Sequence, residues 1–156
     1  MWYVAHVRTG CEGKVAEALQ CTGFMALAPV EERPIRKGGQ WRTVKRTIFP
    51  GYVFYEADLT AAAYHQIKRL PNIINLLGTP LTEREVEWIE SLDFDGAPLR
   101  ATKATVGADG TIKVLDGILA RLPNRIISYS KRQRRAVVEL TICGEPHRIT
   151  LGLEIT

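Results

Sequence analysis

Cysteine is scarce in this chain, and the three present, Cys11, Cys21 and Cys143, are scattered with no CxxC spacing. An odd number at such intervals supports neither a disulfide framework nor a zinc site, so reduced thiols are expected and no metal or other cofactor is implied. Histidine is equally sparse, with His6, His65 and His147 far apart. No GxSxG, HExxH or phosphate-loop pattern occurs, and Gly38-Gly39 lacks the Lys-Ser/Thr that would complete a phosphate cradle. Glu83, Glu85, Glu87 and Glu90 crowd onto one short predicted helix, where they read as a solvated face, not a catalytic pair. Catalysis is therefore not expected. Long hydrophobic runs are missing too: no stretch approaches a membrane span, and MWYVAHVRTG enters an alternating pattern without a basic or apolar leader-like region. These absences imply a soluble, cytoplasmic protein with no membrane partner.

What is present is a chain of 156 residues, 46% of them hydrophobic, enough for one ordinary core or two small ones. Its pattern favours two. The formal net charge is only +4, but the cations are clumped, and clumping matters more than the total for attracting phosphates. Arg33, Arg36, Lys37, Arg42, Lys45 and Arg46 form one group; Arg125, Lys131, Arg132, Arg134 and Arg135 form another with no acidic residue between them.

Trp2 to Val7 alternates with period two and is rich in aromatic and β-branched residues, which predicts a strand ended by Gly10. From Cys11 the period becomes helical, with Cys11, Val15, Ala18, Leu19 and Thr22 on one face and Glu12, Lys14 and Glu17 turned away, until Gly23. Phe24 to Val30 resumes as a strand, and the basic stretch after it folds back at Gly38-Gly39, where glycine supplies the positive φ of a tight hairpin. Ile48 to Glu56 is read as a further strand, with Tyr52 and Phe54 on one side and Val53 and Tyr55 on the other. Neither side is polar, so both need cover. Thr60 caps a helix through Leu70, Ile73 to Leu77 forms a short strand, and Thr82 with Glu85 makes a capping box for the next helix. After Leu92 the run DFDGAPLRATKA loses periodicity and suits a linker. Thr111 to Leu115, Arg125 to Ser128, Ala136 to Ile142 and Arg148 to Leu151 are short apolar runs between turn signals, the spacing of a small barrel. The β-branched density of Ala136 to Ile142 favours strand over helix there.

WYV at the start, FPGYVF in the middle, a helix ending in IKRLPNIINLLG and a capped PLTEREVEWI helix together resemble the N-terminal domain of NusG-type transcription elongation factors. The tail resembles their KOW domain. Within the family, VLDGIL, KRQRRAVVELTICG and the terminal LGLEI resemble the specialised antiterminator paralogues called LoaP most closely. The resemblance implies an α+β protein: an antiparallel sheet flanked by helices at 1–92, a linker at 93–103, and a small all-β, SH3-like KOW barrel at 104–156. It also implies a monomer that binds the β′ clamp helices of RNA polymerase through a hydrophobic concavity. Tyr52 and Phe54 fall on the matching positions, and His6 shares the strand that would line the groove. From the pattern alone, both faces of that strand being internal core is an equal alternative, and His6 serves as well as a packing residue.

Specialised members also read nucleic acid with the loop after the first strand and the end of the second helix, where this chain has Arg8, Lys14, Lys68 and Arg69. Cations there would neutralise phosphates, and arginine adds bidentate contacts to a guanine edge. The expected signal is an RNA hairpin, with single-stranded DNA left open. Arg36 and Arg42 on the glycine hairpin are further candidates, although charge there also protects an exposed sheet edge. Lys131 to Arg135 fits either an RNA contact or a solvated turn.

Three departures from the family pattern matter. Arg121 and Asn124 stand where typical KOW sequences, after the aligned Gly117, have further glycines. The corner at which housekeeping NusG meets Rho and a small-subunit ribosomal protein, apolar-Phe-Gly-Arg in those factors, here reads Ile142-Cys143-Gly144-Glu145, without the aromatic anchor and with the charge reversed. Ala61-Ala62-Ala63 occupies the place of a polar trio that touches the β-subunit gate loop in a related factor. The expected function is a specialised antitermination factor; the alternatives are a freestanding RNA-binding or ribosome-associated KOW module, and housekeeping NusG coupled to Rho and the ribosome.

Overall fold

A computed structural model describes residues 1–92, 101–116, 119 and 125–155. The expected turn at Gly117, Arg121 and Asn124 and most of the expected linker lie outside the described residues. The chain forms two compact units, Met1–Pro29 with Phe49–Glu87, and Val30–Ile48 with Trp88–Thr156.

In the first unit, β1 (Trp2–Val7), β2 (Met25–Leu27), β5 (Tyr52–Glu56) and β6 (Ile73–Leu76) form an antiparallel sheet in the order β2-β5-β1-β6. Helices α1 (Glu12–Cys21) and α2 (Ala61–Lys68) contribute Val15, Ala16, Leu19 and Ile67 to a core that takes Tyr3, Ala5, Val7, Val53 and Tyr55 from the sheet. The opposite face is closed as well: Trp2, Val4 and Phe54 are buried, with Phe49 edge-on to Phe54 at 5.1 Å. Thr60 caps α2 by accepting the Ala63 N–H at 3.2 Å. The capping box opens helix α3 (Glu83–Leu92): Glu85 accepts from the Thr82 N–H at 3.0 Å and the Thr82 hydroxyl accepts from the Glu85 N–H at 3.2 Å.

The second unit joins the hairpin of β3 (Val30–Lys37) and β4 (Gln40–Thr47) to a sheet of β7 (Thr102–Val106), β8 (Ile112–Asp116), β9 (Arg125–Ser130), β10 (Arg135–Ile142) and β11 (Glu145–Ile155). The order is β8-β7-β11-β10-β9, and the sheet curls as an SH3-like KOW barrel does. One strand makes the curl. β11 runs antiparallel to β10 as far as Gly152, then parallel to β7 from Leu153. At this switch the Gly152 N–H donates to the buried Glu31 carboxylate at 3.0 Å, and a Cβ on Gly152 would sit 3.2 Å from the Ala101 Cβ. Glycine gives the backbone room to approach there, and Glu31 satisfies a buried amide. Ala136, Val138, Leu140 and Ile142 alternate inward along β10.

Three local expectations change. Ile48 to Gly51 is not strand: β5 begins at Tyr52, and Phe49-Pro50-Gly51-Tyr52 is a turn closed by the Tyr52 N–H on the Phe49 carbonyl at 3.1 Å. Proline fixes the second residue and Gly51, at φ +85°, meets the positive φ of a type II turn. The end of the expected linker, from Thr102, already belongs to a strand, Thr102–Val106. Glu12 is buried, not turned away. Among the described residues no helix is long and apolar enough to cross a membrane.

Candidate functional site

The turn that starts β5 is held from two sides. The Val7 N–H donates to the Gly51 carbonyl at 2.8 Å, and the Gly51 N–H donates to the Glu12 carboxylate at 3.0 Å. The same carboxylate accepts the Gly10 N–H, its two oxygens at 3.1 and 2.9 Å. A buried carboxylate is tolerable only when hydrogen bonds replace its lost water, and these two amides, at the start of α1 and in the turn, do so. The end of β1, the start of α1 and the start of β5 are thereby fixed to one another.

That framework positions the aromatic candidates. His6 and Tyr52 are paired across β1 and β5, and their rings stack at 5.5 Å and 24°. Both are half-buried. Val4 and Phe54 form the next pair on the same face, and Phe54 is fully buried. The face therefore grades from closed core at Trp2, Val4 and Phe54 to half-buried rings at His6 and Tyr52. A partner can reach Tyr52 and His6 directly, whereas Phe54 supports them from the core beneath.

The basic candidates of the first unit converge through the backbone. Arg8 follows β1, and its N–H donates to the carbonyl of Asn72 at 3.0 Å. Asn72, held at φ +72°, follows the end of α2 that carries Lys68 and Arg69. The Arg8 carbonyl accepts from the Cys11 N–H at 3.0 Å, which leads directly into the first turn of α1, where Lys14 lies. Arg8, Lys14, Lys68 and Arg69 are all exposed. Lys68 lies over the Tyr64 ring, its Nζ 5.7 Å from the centre. Arg36 and Arg42 are elsewhere, exposed on the β3–β4 hairpin of the second unit, on either side of Trp41 in the pairing of Ile35 with Arg42 and Arg36 with Trp41.

The Ile142 to Glu145 corner is a two-residue hairpin turn, with Cys143 at φ +52° and Gly144 at φ +80°. Ile142 points into the core and Glu145 is exposed, so the corner offers no large apolar anchor. Ala61 and Ala62 are exposed on the first turn of α2. Cys11 and Cys21 carry free thiols, and among the described residues no group of three His, Cys, Asp or Glu could hold a metal ion. Sequence reasoning missed Glu12, although the Pro50-Gly51 dipeptide was a turn signal that could have been followed to the amide it presents.

A protein-family model described as "Transcription termination factor nusG" matches residues 1–90. The chain is 30% identical to the transcription termination/antitermination protein NusG of Bacillus subtilis (strain 168), over 89% of this chain and 88% of that protein. It is 32% identical to the protein of the same name from Halalkalibacterium halodurans, over 96% of this chain and 93% of that one. A solved structure described as "Domain interaction in Thermotoga maritima NusG" superposes with a TM-score of 0.58 at 23% identity, covering 97% of this chain and 92% of that one. This last likeness concerns the fold.

Proposed function

The chain belongs to the NusG family of transcription termination and antitermination factors, and from that premise we propose that it is a specialised, LoaP-like antitermination factor acting in the cytoplasm. It rides on RNA polymerase by gripping the β′ clamp helices, and a nucleic-acid signal, an RNA hairpin, recruits it. The observation that carries the polymerase part is the graded face of β1 and β5, where the stacked His6 and Tyr52 form an accessible aromatic rim on the closed core around Phe54. Aromatic rims on rigid sheets are efficient anchors for a partner helix, because little side-chain entropy remains to be lost.

The recruitment part rests on the backbone link between Arg8 and Asn72, which brings the loop after β1 to the end of α2. Arg8, Lys14, Lys68 and Arg69 contact the signal from there, and Arg36 and Arg42 add contacts from the hairpin. The specialised character is supported by the Ile142-Cys143-Gly144-Glu145 corner, whose shape and charge lack an aromatic hot spot for Rho or a ribosomal protein.

Polymerase retention on the immobilised full-length protein tests the grip. Tyr52→Ala is expected to weaken retention about tenfold or more, as hot-spot truncations do. Unchanged retention by Tyr52→Ala and by His6→Ala would move the grip elsewhere. A second reading, housekeeping NusG, is favoured by the identity to relatives named for both termination and antitermination. Tight binding of purified Rho to this chain would select it.

A further inference from the structure

The two basic groups, remote in sequence, meet in the second unit. The β3–β4 hairpin and the loop joining β9 to β10 enclose a cleft of about 800 Å3, lined by Ile35, Arg36 and Trp41 from the hairpin and by Ser130, Arg132 and Arg135 from the loop. No carboxylate is among the described residues that line it. Between Arg132 and Arg135 in sequence, Arg134 is held at φ +55°, a backbone conformation costly for any residue with a Cβ. Its guanidinium carbon lies 4.1 Å from the centre of the Trp41 ring, close enough for a cation–π contact. Trp41 nevertheless remains 36% exposed.

Like charges around one cavity repel, and an anion between them reverses the sign of that interaction. The cleft therefore fits an anion that is also flat, because its other resource is an indole with a guanidinium laid over it. A polyanion that alternates phosphates with planar rings is a nucleic acid. In a duplex the base faces are stacked away inside, so only an unpaired strand can use the indole. The volume is within the range of pockets that enclose drug-sized molecules, which accommodates a nucleotide.

We propose that the cleft between the β3–β4 hairpin and the β9–β10 loop is a site for single-stranded nucleic acid, read by charge and stacking and not by sequence. Arg36, Arg132 and Arg135 neutralise successive phosphates, and the Trp41–Arg134 pair is the platform on which a base stacks. The site extends the hairpin part of the proposed function, and it does not depend on the surface around Arg8. A strand emerging unpaired beside the hairpin signal would be its natural occupant.

Fluorescence anisotropy of the full-length protein with labelled oligouridylate, oligothymidylate and a blunt duplex, over a range of salt, tests this directly. Both single strands are expected to bind at least about tenfold more tightly than the duplex, with affinity falling as salt rises. Trp41→Ala should weaken single-strand binding about tenfold and leave the salt slope unchanged. Trp41→Phe, which keeps a ring in the hairpin, should retain most of it. Arg132→Gln combined with Arg135→Gln should reduce the salt slope by about 1.4, roughly 0.7 for each phosphate that is no longer neutralised. Arg8→Gln with Lys68→Gln should keep the preference for single strands over the duplex even where it abolishes recognition of the RNA hairpin, whereas Trp41→Ala should lose that preference, which separates this site from the recruiting surface. Equal binding of duplex and single strands, wild-type affinity in both cleft variants, or competition by polyglutamate as effective as by an oligonucleotide of equal charge would overturn the proposal.

Discussion

Tyr55 is fully buried, and its hydroxyl finds no hydrogen-bond partner among the described residues. Its ring is stacked on Tyr3 at 5.9 Å. Burial, with Tyr3 and Tyr64 adding to it, pushes its pKa from 10.0 up to about 12. The folded state thus favours the neutral phenol more than the unfolded state does. Its contribution to stability is complete below the unfolded value and is lost as pH rises through the interval from 10.0 to about 12. Denaturant midpoints at about pH 9 and about pH 11 should therefore differ, with the protein weaker at the higher pH, and Tyr55→Phe should reduce that difference. At neutral pH the same substitution should be neutral or stabilising by about 1 kcal/mol, because it removes a buried hydroxyl that lacks a partner. A clear loss of stability would mean that the hydroxyl is satisfied in solution. At this scale the sequence pattern placed Tyr55 correctly opposite Phe54, but no pattern of residue types reports whether a buried polar atom has a partner.

Elements defined by neighbours in sequence were the legible ones. Thr82 and Glu85 are three apart and make their capping box as expected, and Gly38-Gly39 supplies the two positive φ values of the β3–β4 turn. The elements that were misread depend on distant partners. Thr102 to Ala104 looks like the end of the linker because its inward residues, Thr102 and Ala104, are small, and its strand is held by distant β11 as well as by neighbouring β8. Glu12 looks solvent-facing because a carboxylate in a first helical turn commonly is, and the Gly51 amide that buries it lies far along the chain. The FPGY turn, read as strand, is consequently the element with the most to lose at one residue. Glu12→Ala orphans the buried Gly51 amide and should cost about 1 to 3 kcal/mol in urea denaturation. It should also weaken polymerase retention through Tyr52 without touching the rim itself. A variant as stable as the wild type would show that the turn holds its shape unaided.

For the whole molecule, the least legible feature was the allegiance of the hairpin. Its residues precede β5 in sequence, yet Val30–Ile48 groups with the C-terminal strands, and Glu31 caps the bend of β11 at Gly152. The sequence pattern set the hairpin's turn and its charge, but its docking uses contacts distant in sequence, the Trp41–Arg134 pair and a buried carboxylate, Glu31, that reads as an ordinary surface residue. Glu31→Ala should destabilise the second unit by about 1 to 3 kcal/mol, the cost of a buried amide left without its charged acceptor, visible as a lower thermal midpoint. A midpoint unchanged from wild type would mean that another group takes the Gly152 amide. In functional terms the first unit carries the aromatic rim and the Arg8 surface, and the second carries the hairpin cations and a KOW corner without an aromatic anchor. The most direct test of a recruited antitermination factor built this way is read-through at a terminator in a purified transcription reaction, on a template carrying the leader of the protein's own operon. Wild-type protein should raise read-through, and Tyr52→Ala and Arg8→Gln with Lys68→Gln should each return it towards the level without protein. No increase by the wild-type protein on that leader, or an equal increase by the variants, would contradict the account.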